Sequence, residues 1–176
     1  LRLISSETGA LESLHFTDDT LKSSLGDNDI EIQIRAIGVN EADLATAHRQ
    51  ATFGSEASGI VTGVGSAVAK YSLGDRVVAF LPRGGAFANR ISAPAKFVFK
   101  LPATLSFEAG ASLPFAYGTA YYGLVELGRL REDETMLIHW AAGAVGQAAV
   151  ILAQMVGAEI FATVTNGEEK DVLMNE

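Results

Sequence analysis

The stretch His139-Trp140-Ala141-Ala142-Gly143-Ala144-Val145-Gly146-Gln147 has the residue types for holding a phosphate with backbone alone. It follows the apolar run Thr135 to His139 and opens a helical pattern that runs to Val156 and stops at Gly157. Small residues let the chain come close to a pyrophosphate. The start of a helix supplies free N–H groups and about half a positive charge. Gly146 permits close packing of the helix on the strand, the use such a glycine has in a dinucleotide-binding βαβ unit. An ordinary tight strand-to-helix turn would use the same residues, so the context of strand, turn and helix carries the nucleotide reading.

The next strand, Glu159 to Val164, ends in Thr165-Asn166-Gly167. An NAD site usually has an acid about 20 residues beyond its glycines, to bind the ribose 2′-hydroxyl. No carboxylate stands at this strand tip in the sequence. A carboxylate about 4 Å from a 2′-phosphate would cost on the order of 1–4 kcal/mol per unit charge, depending on the dielectric. Thr165 and Lys170 would favour the phosphate, so NADPH is the expected cofactor. Glu168 and Glu169 read as solvated, like Asp18 and Asp19. Thr165-Asn166-Gly167 would equally serve as a turn and helix cap, and Lys170 as a solvated face.

The elements that carry these residues follow from periodicity. Ile30, Ile32, Ile34 and Ala36 alternate with Glu31, Gln33 and Arg35, which predicts a half-buried strand ended by Gly38. Glu41 to His48 is a short helix. Further strands are expected at Ile60 to Val64, Arg76 to Leu81, Phe87 to Ala93 and Phe97 to Lys100, separated by glycine turns at Gly74-Asp75 and Gly84-Gly85. Short strands at this spacing predict a barrel or sandwich. The pattern changes near Pro102. Ser106 is placed to cap a helix with Glu108 in its first turn. Pro114 opens a second helix through Leu127, stopped by Gly128.

Composition narrows the function. The 176 residues are 48% hydrophobic, with a net charge of −8 and no cysteine; the mean hydropathy is +0.23. The acidic balance argues against nucleic acid, and no apolar run reaches the length of a membrane span. The lack of cysteine removes disulfides, thiolate metal sites and a cysteine nucleophile, and a cytoplasmic location is expected. Leu1 in place of Met suggests excision from something longer. His15, His48 and His139 lack the spacing of a metal pair, and His139 reads as structural. Asp43 either orders the loop at Asn40 or is simply a helix-start acid. Tyr121 and Tyr122, at helical spacing, read more as core than as substrate contacts.

Several stretches occur together in order: Gly38-Val39-Asn40-Glu41-Ala42-Asp43, Gly54-Ser55-Glu56-Ala57-Ser58-Gly59, Gly74-Asp75-Arg76-Val77, Gly85-Ala86-Phe87-Ala88, Leu113-Pro114, Thr119-Ala120-Tyr121-Tyr122 and the turn after His139. This set resembles the enoyl reductase domain of fungal highly reducing polyketide synthases. More broadly it resembles the quinone oxidoreductase branch of the zinc-free medium-chain dehydrogenases. The resemblance implies α/β plus β architecture: a GroES-like barrel over 1–106, then a partial NADP-binding Rossmann domain over 107–176. It implies hydride transfer from NADPH to the β-carbon of an α,β-unsaturated thioester held on an acyl carrier protein, followed by protonation of the α-carbon. The implied partners are that carrier-bound thioester and the other domains of a megasynthase, with a homodimer also compatible.

By similarity, Asn40 and Thr119 would face the nicotinamide end, and Gly143, Ala144, Val145 and Gly146 the pyrophosphate. Zinc-dependent relatives have Cys and His where this chain has Asn40 and Ser55, so no metal is expected. The resemblance places the proton donors of such reductases beyond Glu176, so no catalytic acid is assigned and the 176 residues by themselves are expected to be inactive. The chain departs from the family at Glu41 and Ala42, where an aromatic and a basic residue are usual. It departs also at Trp140 and Ala144, and in a strand-end loop one residue longer. Two other readings stay open: a non-catalytic scaffold within a megasynthase, and a part of a stand-alone quinone oxidoreductase.

Overall fold

A computed structural model describes residues 2–5, 14–17, 25–46 and 53–174. The chain divides into two compact units, Leu1–Pro114 and Phe115–Glu176.

The first unit is built on an antiparallel sheet of five strands. These are β3 (Asp29–Gly38), β4 (Glu56–Val64), β5 (Arg76–Phe80), β6 (Arg90–Pro94) and β7 (Val98–Lys100), in the order β6-β3-β4-β5-β7. Two earlier strands, β1 (Arg2–Ser5) and β2 (Leu14–Thr17), form a separate antiparallel pair that the sequence pattern does not reveal. Alternation in β3 buries Ile30 and Ile32, which pack with Val61, Val77, Ile91 and Val98 into one core. On the opposite face Glu31 takes the Thr62 hydroxyl at 2.7 Å and an Arg90 guanidinium nitrogen at 3.3 Å. No ladder between described strands joins β6 to β7. Register shifts in β3 at Glu31/Ile32 and Ile34/Ala36 bend this sheet.

The strand expected at Phe87 to Ala93 begins later, at Arg90. The segment before it is held by irregular backbone bonds instead, among them Gly85 N–H and Phe87 N–H to the Phe53 carbonyl at 2.8 and 3.2 Å. Helix α1 is described over Glu41–Thr46; the rest of the helix expected to His48 lies outside the described residues. Helix α2 (Phe107–Ala111) starts where Ser106 accepts the Ala109 N–H at 3.1 Å. It belongs with the first unit because it packs on β3, β4 and β5, with the Ser58 hydroxyl donating to the Phe107 carbonyl. Arg76 stacks 4.1 Å from the Phe107 ring.

The second unit contains α3 (Leu113–Tyr121) from its residue Phe115 onward. The helix widens into a π turn over Tyr122–Leu127, where Gly128 N–H reaches back five residues to the Gly123 carbonyl at 2.9 Å. Tyr121 and Tyr122 are exposed, contrary to a core role; Ala116 and Ala120 form the buried face instead. A βαβ unit follows: β8 (Thr135–Ile138), α4 (Ala144–Val156) and β9 (Glu159–Ala162), with β8 and β9 parallel. β9 is two residues shorter than its apolar run; just beyond it Thr163 still donates its N–H to the Ile138 carbonyl at 2.9 Å and bonds the glycine-rich turn with its carbonyl and hydroxyl. Ala148, Ala149 and Ala153 on α4 let the helix lie close to the strands, and Gly157 ends it in the left-handed conformation at φ 89°. Helix α5 (Gly167–Met174) closes the chain.

The tightest backbone approach in the first unit is at Gly59, where a Cβ would lie 2.2 Å from the Gln33 carbonyl oxygen. Backbone cannot yield there as a side chain would. Gly59→Ala is expected to cost about 2–3 kcal/mol of unfolding free energy, measured by urea denaturation of the intact protein. A loss below about 0.5 kcal/mol would show that β3 and β4 separate easily.

Candidate functional site

In the first unit the site residues gather where β3 leaves the sheet. Asn40 follows that strand, and its loop is tied by one buried carboxylate. Asp43 is 7% exposed; its Oδ2 accepts the Asn40 N–H at 2.8 Å and its Oδ1 the Gly54 N–H at 3.1 Å. Asp43 therefore orders the Asn40 loop and anchors it to the start of β4, which settles the two roles open for it. The Asn40 amide nitrogen donates to Glu56 Oε1 at 2.8 Å and lies 3.4 Å from the Ser55 hydroxyl. Glu56 is 2% exposed and folds over Gly38, its partner across the ladder. The positions expected to hold Cys and His in zinc-dependent relatives thus carry an amide and a hydroxyl, with the amide donating both to the Glu56 carboxylate and toward that hydroxyl. Nothing in the sequence pattern marked Glu56; the sign was a Glu at a strand start opposite a glycine. Among the described residues no cluster of His, Asp or Glu has the form of a metal site.

In the second unit the glycine-rich turn has the expected form. Gly143 is the N-cap of α4 in extended conformation, and no side chain caps the helix. The first bond into the helix is from Gln147 N–H to the Gly143 carbonyl at 2.8 Å. That leaves the N–H groups of Ala144, Val145 and Gly146 as the helix's orphan donors, a set that suits a pyrophosphate. Gly146 is forced: a Cβ there would sit 2.4 Å from the Trp140 carbonyl oxygen and 2.7 Å from Ala141 Cα. At Gly143 the nearest atom would be at 3.4 Å, an ordinary contact. Thr163 fastens the turn from β9. Its hydroxyl lies 3.2 Å from both the Trp140 N–H and His139 Nδ1, and its carbonyl accepts the Ala141 N–H at 3.0 Å. His139 is thus a turn-holding residue, as its place in the sequence suggested.

Trp140 has φ 53°, a left-handed conformation that costs a non-glycine residue roughly 1–2 kcal/mol. The bend turns its carbonyl onto the Gly143 N–H at 3.1 Å. The indole is 56% exposed and lies beside Gly143, so it does not tuck under α4. Thr119 is exposed on α3.

The strand tip differs from its sequence reading. Asn166 caps α5, its Oδ1 accepting the Glu169 N–H at 2.9 Å. Glu169 folds back: Oε2 accepts the Thr165 N–H at 2.8 Å and Oε1 the Thr165 hydroxyl at 2.6 Å. A carboxylate does stand at the tip, and Glu169 is not simply solvated. Thr165's hydroxyl, then its N–H, holds the Glu169 carboxyl below the usual carboxylate range, so it is charged at neutral pH. The Asn-x-x-Glu spacing, a form of the capping box, is the signal that could have revealed it. Lys170, one residue on, is exposed.

Residues 26–103 match the alcohol dehydrogenase GroES-like domain. Highly-reducing polyketide synthase 1 of Aureobasidium melanogenum is 40% identical over 179 residues, covering 100% of this chain and 8% of that protein. The chain thus carries a GroES-like domain and is homologous over its whole length to one part of the fungal highly reducing polyketide synthases. The squalestatin hexaketide synthase of a Phoma species is likewise 40% identical, covering 97% of the chain and 7% of that protein. Among solved structures, the CurK enoyl reductase superposes with a TM-score of 0.92 at 34% identity, covering 99% of this chain and 56% of that one. The Escherichia coli quinone oxidoreductase complexed with NADPH gives 0.88 at 33% identity, with 99% and 55% covered. The chain thus spans about half of these reductases and less than a tenth of the synthases. No helix among the described residues is long and apolar enough to cross a membrane.

The contrast between the two glycines gives a test within one turn. Gly146→Ala is expected to lower stability by about 2–3 kcal/mol, whereas Gly143→Ala changes it by less than about 0.5 kcal/mol. Thermal melts of both variants check this; equal losses would show that the helix start does not depend on that close approach.

Proposed function

We propose that the intact protein is an NADPH-dependent reductase of α,β-unsaturated acyl thioesters carried on an acyl carrier protein, working among the other domains of a polyketide synthase in the cytoplasm. The observation that carries this reading is the uncapped start of α4, three orphan N–H groups beyond a turn fixed by Gly146 and Thr163. Backbone donors and the helix dipole suit a pyrophosphate and need no side chain. The homology over the whole chain supplies the reaction class.

In this reading, each residue has a limited task. Ala144, Val145 and Gly146 bind the pyrophosphate through their N–H groups, with Gly143 leaving room for it. Thr165 and Lys170 stand at the adenosine ribose. In the second unit Thr119 serves the nicotinamide end. In the first, Asn40 does so, its backbone N–H held by Asp43 and its side-chain amide by Glu56 before any ligand arrives. NADPH, when bound, supplies the hydride that adds to the β-carbon; a proton on the α-carbon completes the reduction. The donor of that proton is not assigned to a residue of this chain.

A second reading, a non-catalytic scaffold, draws on Trp140, whose exposed ring lies against one side of the turn. Two measurements separate the readings. The intact protein should oxidise NADPH when given a crotonyl thioester, well above a no-substrate control. Trp140→Ala should leave the NADPH dissociation constant within about threefold. Absence of turnover, joined to a gain of tenfold or more in affinity for the variant, would favour the scaffold.

A further inference from the structure

The tip of β9 is where a βαβ nucleotide unit meets the adenosine ribose, and an acid there ordinarily selects a 2′-hydroxyl. A 2′-phosphate needs hydrogen-bond donors and positive charge at that place. Three residues beyond the end of β9, the Thr165 N–H and hydroxyl are both taken by Glu169, one by each carboxylate oxygen, and the Asn166 side-chain amide lies 3.5 Å from the same hydroxyl. The carboxylate reaches them because Asn166 caps α5 and so sets Glu169 in the third position of the helix, facing back over the cap. Glu169 is half-buried in this arrangement, while Lys170 is exposed.

We propose that Glu169 is the residue that sets the 2′ preference of this chain, acting as an internal competitor for the place of a 2′-phosphate. This inference rests on the nucleotide-binding reading above. A 2′-phosphate enters only when the Glu169 carboxylate leaves Thr165, or else it sits beside a like charge. A 2′-hydroxyl meets no such obstacle, since a carboxylate with one bond on each oxygen keeps lone pairs to accept another. Lys170 attracts the phosphate and Glu169 opposes it. The protein therefore discriminates between NADPH and NADH less than Lys170 alone would make it do, and the specificity residue is the acid and not the base.

Glu169→Gln removes the charge and keeps a side chain that can complete the cap, so α5 should be retained. The intact protein, wild type and E169Q, is titrated with NADPH and with NADH. Adenosine 2′,5′-bisphosphate and AMP serve as probes of the adenosine end alone. For E169Q the expected result is an about tenfold gain in affinity for NADPH and for the bisphosphate, with NADH and AMP changed by less than about twofold. An unchanged NADPH affinity, or equal changes for phosphorylated and unphosphorylated nucleotides, would overturn the role of Glu169 while leaving the nucleotide site standing. Failure of every nucleotide to bind either protein at millimolar concentration would overturn the nucleotide reading itself, and this inference with it.

Discussion

The constraint on which the second unit depends is between two pieces of backbone. The start of α4 sits against the turn that leads into it so tightly that residue 146 has no space for a Cβ. The geometry of the glycine-rich turn follows from that contact. The Trp140 carbonyl points at Gly146 and takes the Gly143 N–H, Trp140 is bent into a left-handed conformation, and Thr163 reaches across from β9 to hold the bend. The helix then begins without a side-chain cap, and the N–H groups of its first three residues precede the first helical bond. A side chain on residue 146 would push the helix off the strand and undo this order. The first unit repeats the theme at Gly59, where β4 passes against the backbone of β3.

Buried carboxylates organise the loops that the backbone alone leaves open. Asp43 accepts N–H groups from Asn40 and from Gly54, eleven residues after Asp43 itself, and so closes the Asn40 loop on β4. Glu56 then fixes the amide of Asn40. Such charges are costly to bury unless they are fully bonded, and their use in holding one loop conformation offsets that cost. At the other end of the chain Glu169 does a similar thing in a more exposed setting. Two donors at the strand tip are held by a residue four positions later.

These acids mark the limit of reading by pattern. The alternation of Ile30, Ile32 and Ile34, the cap at Ser106, the stop at Gly157 and the strand–turn–helix order around Gly143 were all legible, because each depends on neighbours within one turn or one strand. The pair β1–β2 was not, since two four-residue strands separated by a long connection carry no period of their own. Tyr121 and Tyr122 were misread as core, because the helix that bears them buries its small residues, Ala116 and Ala120, instead.

By itself, the sequence determined the resemblance to the reductases, the two kinds of architecture and the place of the glycine-rich turn, because glycine spacing and hydrophobic period are local and survive without coordinates. What only the tertiary structure decided is where the carboxylates end up. The sequence left Asp43 either ordering the Asn40 loop or serving as a helix-start acid, and read Glu169 as a surface charge; folding makes the first the clasp of that loop and binds the second to Thr165 beyond β9. A side chain's partners depend on which backbone groups the fold leaves unpaired within its reach, and that is fixed by packing between segments distant along the chain.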